Sequence, residues 1–302
     1  MDAPGLRMRV GMIGLGRMGR PMAERLLDVE FPVTVWARRE ASAVPLVARG
    51  ARAAASIEAL AAEAECVLTC LPRPVDVTRV LTSLLRAARP ETLVIETSTI
   101  DPGTSRRLAA VAAARQVAYV DAPVSGGPAG AAAGTLTVMA GGAPAAVARA
   151  RPVLEALGAD VHYLGLAGSG HLAKLCHQII TGSACAAVAE ALVLGVKGGL
   201  DPEQLVAALS TASEHSRTLE QQAPAILARA FEAQFTADLA GKDLDLALEA
   251  AAALTVRLPL AAAARHCYEE MRRLGLGELD QAAVVIPAER VAGVTVRAKP
   301  AP

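Results

Sequence analysis

The stretch "VGMIGLGRMG", residues 10–19, is the most informative segment in the N-terminal half of this chain of 302 residues. An apolar run ends here in three glycines at the spacing G-x-G-x-x-G, and a helical pattern follows from about residue 17. Between a strand and a helix, the first glycine permits a tight turn, the second lets a pyrophosphate approach the backbone, and the third lets helix and strand pack closely. The helix N-terminus then faces the phosphates. We assign to this dinucleotide-binding loop the residues Gly14, Leu15, Gly16, Arg17, Met18 and Gly19.

The end of the next predicted strand bears on the choice of dinucleotide. After "PVTVWA", residues 32–37, the chain places Arg38 and Arg39 where NAD-dependent enzymes usually carry an acidic residue for the ribose 2′-hydroxyl. Two guanidinium groups suit a 2′-phosphate instead. NADP(H) is therefore favoured, and NAD(H) stays open because Glu40 follows directly.

Strands and helices alternate through the first half of the chain. Further strand-like runs are "ECVLTCLP", "TLVIETS", "VAYVDAP" and "GTLTVMAGG". Such alternation predicts a mostly parallel sheet with helices on both faces. From about Ser169 only helical segments follow, and the first is predicted to run to about Lys197. The fold class is α/β: a Rossmann-type, doubly wound domain in residues 1–166, then an all-α domain in residues 167–292 that begins with a long interdomain helix. Residues 293–302 are expected to be a disordered tail.

The composition excludes several classes of function. Lysine plus arginine and aspartate plus glutamate number 30 each, so no net charge attracts nucleic acid. Five scattered cysteines are typical of free thiols in a reducing compartment, and none has metal-site spacing. The N-terminus lacks a signal-peptide layout, and the longest uncharged run, residues 122–148, is too rich in Gly, Pro and Ser to span a membrane. We expect a cytoplasmic protein that binds no metal, nucleic acid or membrane.

One lysine lies in an apolar helix. The segment "GSGHLAKLCHQII", residues 168–180, surrounds Lys174 with Leu, Ala, Cys and Ile side chains. Desolvation on such a helix lowers the pKa of a lysine from about 10.4 toward the range useful at neutral pH. Gln178, four residues on, lies on the same helix face. Lys174 and Gln178 therefore form one narrow polar stripe on a mostly apolar helix.

Six segments carry a resemblance to a known family. In chain order they are "GMIGLGRMGRPMAERLL", "LTCLPRPVDVTRVL", "ETSTIDPGTSRRLA", "DAPVSGGPAGAAAGTLTVMAGG", "GSGHLAKLCHQ" and "GKDLDLALEAA". Together they resemble the β-hydroxyacid dehydrogenase family, which includes 3-hydroxyisobutyrate dehydrogenase, tartronate semialdehyde reductase and 6-phosphogluconate dehydrogenase. The resemblance covers roughly residues 8–290, and six ordered motifs are far more specific than one glycine loop.

The resemblance implies a role for each matching position, with Lys174 as the catalytic lysine. Lys174 would act as general base in alcohol oxidation and as general acid in carbonyl reduction, and Gln178 would orient the lysine or the substrate hydroxyl. Toward the cofactor it implies Leu71, Pro72, Asp76, Thr99 and Lys242. Toward the substrate carboxylate it implies Ser125, Gly126 and Gly127. The glycine-rich turn "PVSGGPAG" independently offers backbone N–H groups to an anion, the alternative being an ordinary loop.

Two regions depart from the family's pattern. Family members commonly carry an asparagine three or four residues after the lysine, where this chain has His177 and Gln178. Gln178 keeps an amide on the lysine's face and is given the asparagine's role. His177 is a candidate substrate contact, with a structural histidine as the alternative. Ser216 and Arg217, in "TASEHSRTLEQQAP", are candidates for a contact that selects the substrate, the alternative being an exposed loop.

The resemblance implies an oxidoreductase that transfers a hydride between NADP(H), or NAD(H), and a small 3-hydroxy carboxylate or the matching semialdehyde, such as methylmalonate or tartronate semialdehyde. Relatives form dimers or tetramers, so we expect a homodimer or homotetramer formed through the helical domain. Two alternatives stay open. An imine reductase is disfavoured because those enzymes typically lack the lysine, and a non-catalytic cofactor-binding protein is disfavoured because Lys174 and "DAPVSGG" are intact.

Overall fold

The computed structural model describes residues 7–213 and 216–299. The chain divides into two compact units, Met1–Lys174 and Leu175–Pro302. The division falls inside the long helix, later along the chain than the boundary at 166/167 that the sequence predicts. The first turns of that helix therefore belong with the sheet.

The first unit contains a sheet and seven helices in its described residues. The strands are β1 (Val10–Ile13), β2 (Val33–Trp36), β3 (Arg52–Ala53), β4 (Cys66–Thr69), β5 (Leu93–Glu96), β6 (Ala118–Asp121), β7 (Val124–Ser125), β8 (Thr137–Gly142) and β9 (Asp160–Gly165). The helices are α1 (Gly19–Asp28), α2 (Val44–Val47), α3 (Ile57–Glu63), α4 (Pro74–Ala87), α5 (Pro102–Ala113), α6 (Gly127–Ala133) and α7 (Pro144–Leu157), with a 3₁₀ helix at Glu40–Ser42.

The strand order confirms the predicted doubly wound, mostly parallel sheet. The order is β3-β2-β1-β4-β5-β6-β8-β7, and β9 also pairs with β8. Strands from β3 through β6 are parallel to their neighbours, whereas β8 is antiparallel to β6 and β7. Ile13 is in register with Trp36 of β2 and Thr69 of β4. The loop after β1 therefore lies between the carboxyl ends of two neighbouring strands, where open α/β sheets bind ligands.

Two separate cores cover the faces of the sheet. Every residue of β1, β4 and β5 is buried, including the residues at their ends, which is typical of parallel strands covered on both sides. Because successive side chains of a strand point to opposite faces, Met12 packs with side chains from α1 and α7, and Ile13 packs with side chains from α3, α4 and α5.

A long helix, α8, spans Ser169–Lys197, the bounds that the sequence predicts. At 1.5 Å per residue it is roughly 40 Å long. Its length and hydropathy would also suffice to cross a membrane, a test that a core helix of a soluble protein passes equally.

The second unit is helical in its described residues. After α8 come α9 (Pro202–Thr211), α10 (Arg217–Ala228), α11 (Ala237–Ala253), α12 (Pro259–Arg273) and α13 (Val285–Ala292), with a 3₁₀ helix at Gln281–Val284. Small side chains let these helices approach closely: a Cβ added to Gly182 of α8 would lie 3.1 Å from a Leu244 methyl carbon. The Tyr268 hydroxyl donates to the Gly182 carbonyl at 3.3 Å.

The C-terminal residues differ from the disordered tail that we expect from the sequence. Val296 has no exposed surface, and its N–H donates to Glu289 Oε1 at 2.7 Å. Lys299 Nζ lies 2.7 Å from Asp201 Oδ2. One apolar side chain and an ion pair thus hold residues 293–299 against the helices, while residues 300–302 lie outside the described part of the chain.

Candidate active site

Each of the three glycines in the loop after β1 is explained by a different structural feature. Gly14 has φ +97°, and a Cβ there would lie 2.2 Å from the Cys70 carbonyl oxygen. A Cβ on Gly19 would lie 1.8 Å from the Gly14 carbonyl oxygen, whereas no heavy atom lies within 4 Å of a Cβ on Gly16. The first and third glycines are therefore required by the fold, and the second leaves open space where a pyrophosphate would approach.

The start of α1 has no side-chain cap. The helix begins at Gly19, and its N-cap residue, Met18, makes no side-chain capping hydrogen bond. Its first turn also contains no acidic residue. The positive end of a helix dipole without a side-chain cap or an acidic residue suits an anion, so this loop fits a dinucleotide pyrophosphate. Leu15, Arg17 and Met18 lie in the same loop and stay predicted cofactor contacts.

The end of β2 is basic, as the sequence predicts. Arg38 and Arg39 follow Trp36, and both are exposed. Arg38 is close enough for its charge to act on Asp76, a residue in the first turn of α4.

Asp76 lies among arginine side chains. Arg73 Nε donates to Asp76 Oδ2 at 2.9 Å, and Arg79 Nη2 donates to Oδ1 at 2.9 Å. The hydrogen bond from Arg73 is the largest cause that holds the pKa of the Asp76 carboxyl below its usual value, and the charges of Arg79 and Arg38 lower it further. Asp76, which the sequence predicts only to line the cofactor, thus binds the guanidinium groups of Arg73 and Arg79, two residues that were not predicted to belong to the site.

The loop after β4 contacts the glycine loop. A Leu71 methyl carbon would lie 3.1 Å from a Cβ on Gly14, so Leu71 and Pro72 stand beside the predicted dinucleotide site. The Leu71 N–H donates to Ser98 Oγ at 2.8 Å, next to Thr99 in sequence. The structure thus places Leu71 and the segment that contains Thr99 in one region of the first unit.

The predicted carboxylate-binding turn lies at the far end of the sheet. Ser125 ends β7, Gly126 follows, and Gly127 begins α6. The turn after a strand is confirmed, and the role of these three residues stays a prediction.

Lys174 lies on α8 with 7% of its surface exposed, and Gln178, one turn later, has 6% exposed. The Gln178 side chain links two other polar groups. Its Nε2 donates to Asp243 Oδ2, and its Oε1 lies 2.9 Å from His177 Nδ1. His177 Nδ1 is the donor in that pair because a carbonyl oxygen only accepts. His177 and Gln178, which the sequence left as alternatives for one role, are therefore joined.

Asp243 on α11 is the residue of the second unit that sequence reasoning missed. It has 1% of its surface exposed, and Lys242 Nζ lies 2.7 Å from its Oδ1. The predicted residues Gln178 and Lys242 thus meet at one buried carboxyl, and His177 joins them through Gln178. The sequence held a signal: Asp243 lies on the apolar face of α11 with Ala240 and Ala247, where a charge is costly without partners.

Three further buried groups were missed in the first unit: Glu96, Asp121 and His171 have no exposed surface and lie in one network. Glu96 and Asp121 are the last residues of β5 and β6. The sequence offered one signal for this network, because both apolar strands end in an acidic residue.

Ser216 has a local structural role. It is the N-cap of α10, where its Oγ accepts from the Leu219 N–H at 3.3 Å, and Arg217 is the exposed first residue of that helix. The neighbouring Glu214 and His215 lie outside the described residues. Within the described residues, no group of three or more His, Cys, Asp and Glu side chains is arranged to hold a metal ion.

Two family models match the chain in succession. The model of the NAD binding domain of 6-phosphogluconate dehydrogenase matches residues 9–165. The model described as NAD-binding of NADP-dependent 3-hydroxyisobutyrate dehydrogenase matches residues 168–288. Their junction coincides with the change from alternating strands and helices to helices alone.

Relatives match over nearly the whole chain. The 2-(hydroxymethyl)glutarate dehydrogenase of Eubacterium barkeri is 38% identical, over 96% of this chain and 97% of the relative. The 3-hydroxyisobutyrate dehydrogenase of Pseudomonas aeruginosa is 38% identical, over 86% and 90%. Among solved structures, the 3-hydroxyisobutyrate dehydrogenase of Mycobacterium tuberculosis with L-serine is similar with a TM-score of 0.86 and 34% identity, over 93% of this chain and 99% of that one.

The chain belongs to the β-hydroxyacid dehydrogenase family. It is accordingly an NAD(P)-dependent oxidoreductase, which confirms the family and the enzyme class that the sequence motifs predict. The alternative of a non-catalytic cofactor-binding protein is set aside.

Proposed function

We propose that this enzyme interconverts a hydroxymethyl carboxylate, HOCH2–CHR–COO⁻, and the matching semialdehyde, with Lys174 as general acid and base. The observation that carries the proposal is the burial of Lys174 on α8 in a chain whose dinucleotide loop is intact. The names of the similar proteins support the substrate class. Hydroxymethylglutarate, 3-hydroxyisobutyrate and L-serine share the group HOCH2–CH–COO⁻ and differ in R.

Lys174 supplies the proton chemistry. A bound nicotinamide cofactor accepts or supplies the hydride. In alcohol oxidation the Lys174 Nζ takes the proton of the substrate hydroxyl, and in carbonyl reduction it returns that proton. With 7% of its surface exposed, the Lys174 side chain is largely shielded from solvent. In reduction, the ammonium also stabilises negative charge that develops on the carbonyl oxygen.

Gln178 positions the reacting groups. Its amide is fixed at both ends, by Asp243 and by His177, so its orientation does not depend on the substrate. We assign to it the role that the family gives an asparagine, and to Asp243 the role of holding it. His177, Ser216 and Arg217 are proposed contacts to the variable R group or the carboxylate.

The substrate carboxylate is assigned to Ser125, Gly126 and Gly127. The support is chemical: a serine hydroxyl and glycine amides donate hydrogen bonds to an anion, and a Cβ on Gly127 would meet no heavy atom within 4 Å. Open space at this position admits a ligand close to the backbone.

NADP(H) is the proposed cofactor, and NAD(H) is the alternative. Arg38 and Arg39 are exposed at the end of β2, and Arg73 and Arg79 add two guanidinium groups around Asp76. The charge of this region suits the dianionic 2′-phosphate that distinguishes NADP(H). Thr99 and Lys242 are proposed cofactor contacts on the strength of the family motifs alone.

The assembly proposed is a homodimer or homotetramer in the cytoplasm, formed through the helical domain. The support is an apolar stripe along α8, on which Leu172, Ile180 and Leu194 are 37%, 71% and 75% exposed in the single chain. Exposed apolar stripes of this kind mark association surfaces. A monomer in size-exclusion chromatography with light scattering would contradict the proposal.

A substrate screen tests the proposed function. Oxidation of NADPH and of NADH is measured with small semialdehyde acids, with simple aldehydes that lack a carboxylate, and with cyclic imines. The expected result is turnover of semialdehyde acids, with kcat/KM for the aldehydes that lack the carboxylate at least about 100-fold lower, and no imine reduction. Turnover of the imines alone would establish the imine reductase alternative instead.

A further inference from the structure

A polar network without exposure to solvent lies under the first turn of α8, within the first unit. It joins Glu96 at the end of β5, Asp121 at the end of β6 and His171 on α8. Buried polar groups are costly unless each has a partner, and a satisfied network fixes one arrangement of its members. The proton chemistry proposed for Lys174 uses none of these three residues.

The His171 ring is tied to the carboxyl edge of the sheet through Nε2. This atom lies 3.1 Å from Glu96 Oε2 and 3.1 Å from the Ser98 carbonyl oxygen. Because a carbonyl oxygen only accepts, Nε2 carries the hydrogen and donates. Nδ1 lies 3.6 Å from Asp121 Oδ2, beyond hydrogen-bond distance. The Nε2 side of the ring therefore fixes its orientation.

Asp121 caps the same helix turn. Its Oδ1 accepts from the Gly168 N–H at 2.8 Å, and its Oδ2 accepts from the His171 N–H at 3.0 Å. A helix N-terminus leaves such amides without partners inside the helix. A carboxylate placed there also interacts favourably with the positive end of the helix dipole. The turn also lies very close to the sheet, since a Cβ on Gly170 would be 2.2 Å from the Met139 carbonyl oxygen. The hydrogen bonds of Asp121 and His171 join the turn to the sheet.

Glu96 connects this turn to the loop beside the dinucleotide site. Its Oε1 accepts from the Ser98 N–H at 2.9 Å, from Ser98 Oγ, and from Thr69 Oγ1 at 3.2 Å. Ser98 Oγ in turn accepts from the Leu71 N–H at 2.8 Å. A continuous path of hydrogen bonds thus runs from Leu71 through Ser98 and Glu96 to His171.

We propose that His171 is a positioning residue, which fixes the first turn of α8 on the sheet and thereby sets the location of Lys174 Nζ. Residues three apart lie on the same side of a helix, about 4.5 Å along its axis, so a tilt at His171 displaces Lys174. Through Ser98, the same bonds hold Leu71 and the segment of Thr99. The inference rests on the proposed role of Lys174 as acid and base.

Two substitutions at one position separate positioning from mere packing. In His171→Gln the side-chain amide nitrogen reaches the place of Nε2 and keeps the donor toward Glu96. In His171→Asn the amide nitrogen reaches only the place of Nδ1, so Glu96 Oε2 loses its partner. Leu108→Ala is the matched control, because Leu108 is buried on α5 of the same unit and lies outside this network.

Misplacement by about 1 Å costs up to about 100-fold in rate. We therefore expect kcat to fall about 100-fold in His171→Asn and less than about 10-fold in His171→Gln, with the Kd for NADPH within about 3-fold of wild type in both. The deuterium isotope effect on kcat should increase in His171→Asn, because hydride transfer becomes the slow step. Leu108→Ala should lower Tm and leave kcat within about 3-fold.

Amide hydrogen exchange of residues 168–174 gives a readout that does not need turnover. Exchange in this segment should accelerate at least about 10-fold in His171→Asn and remain close to wild type in His171→Gln. Equal exchange and equal kcat in the two variants would overturn the positioning role. A wild-type enzyme that exchanges as expected but turns over no hydroxymethyl carboxylate would contradict the proposed function instead.

Discussion

The glycine loop after β1 makes a prediction in which folding and ligand binding separate. A Cβ on Gly19 would lie 1.8 Å from the Gly14 carbonyl oxygen and 2.8 Å from Met12 Cε. An ordinary C···O contact is about 3.3 Å, so Gly19→Ala requires a backbone shift of about 1.5 Å. A Cβ on Gly16 meets nothing within 4 Å, so Gly16→Ala leaves the apo fold unchanged.

The expected magnitudes follow from these contacts. Overpacking costs about 1–3 kcal/mol, and about 2–4 °C of Tm are lost per kcal/mol in a unit of this size. Gly19→Ala should therefore lower Tm by about 2–12 °C. Gly16→Ala should change Tm by less than about 1 °C, but its methyl group fills the space proposed for the pyrophosphate, so the Kd for NADPH should rise at least about 10-fold, or about 1.4 kcal/mol.

Thermal unfolding by circular dichroism and titration of NADPH fluorescence measure the two effects separately. Each variant serves as the control for the other. Wild-type affinity for NADPH in Gly16→Ala would refute the placement of the pyrophosphate, and a wild-type Tm in Gly19→Ala would refute the close approach at the start of α1.

Three further predictions concern charge and burial. Arg38→Gln should weaken binding of 2′,5′-ADP at least about 10-fold and leave 5′-AMP unchanged in calorimetry, and equal losses for both nucleotides would contradict a contact to the 2′-phosphate. The hydrogen bond from Arg73 holds the pKa of Asp76 below its usual value of about 3.9, so the ionised carboxylate stabilises the folded chain. This stabilisation is present above about pH 4 and is lost as the pH falls through the lowered pKa. The urea midpoint of Asp76→Asn should thus lie below that of wild type at pH 7 and approach it at pH 2. Burial raises the pKa of the Cys66 thiol well above its usual range and that of Cys185 to about 12, so neither should react with a thiol reagent at pH 8 until guanidinium unfolds the chain.

Much of the fold was predictable because it depends on local pattern. Runs such as "GMI" and "TVW" alternate with helical stretches, and every strand of the buried parallel region except the two-residue β3 lies in a predicted run. The unpredicted β9 is mostly exposed, with Tyr163 46% accessible, so it lacks the apolar signature of a buried strand. The order of residues 293–299 was not predictable, because it depends on the burial of Val296 in the core of the folded helices and on the ion pair between Lys299 and Asp201.

The candidate site was predictable only in part. Motifs with fixed local spacing, such as the glycine loop and the pair Lys174 and Gln178, are visible in the sequence. The partners of those residues are not, because Gln178 meets Asp243 across 65 residues and His171 meets Glu96 across 75. Contacts of that separation depend on how the helices and strands pack, which no single segment specifies.

The proposed function depends most directly on Lys174, which moves the proton in the reaction. Lys174→Met keeps the length and the apolar stem of the side chain and removes the amine. Lys197→Met, at the exposed end of the same helix, is the control. We expect kcat for the semialdehyde acid to fall about 10²–10⁴-fold in Lys174→Met, with the Kd for NADPH within about 3-fold of wild type, and to be unchanged in Lys197→Met. A Lys174→Met enzyme that binds NADPH and turns over at the wild-type rate would contradict the proposed role of Lys174.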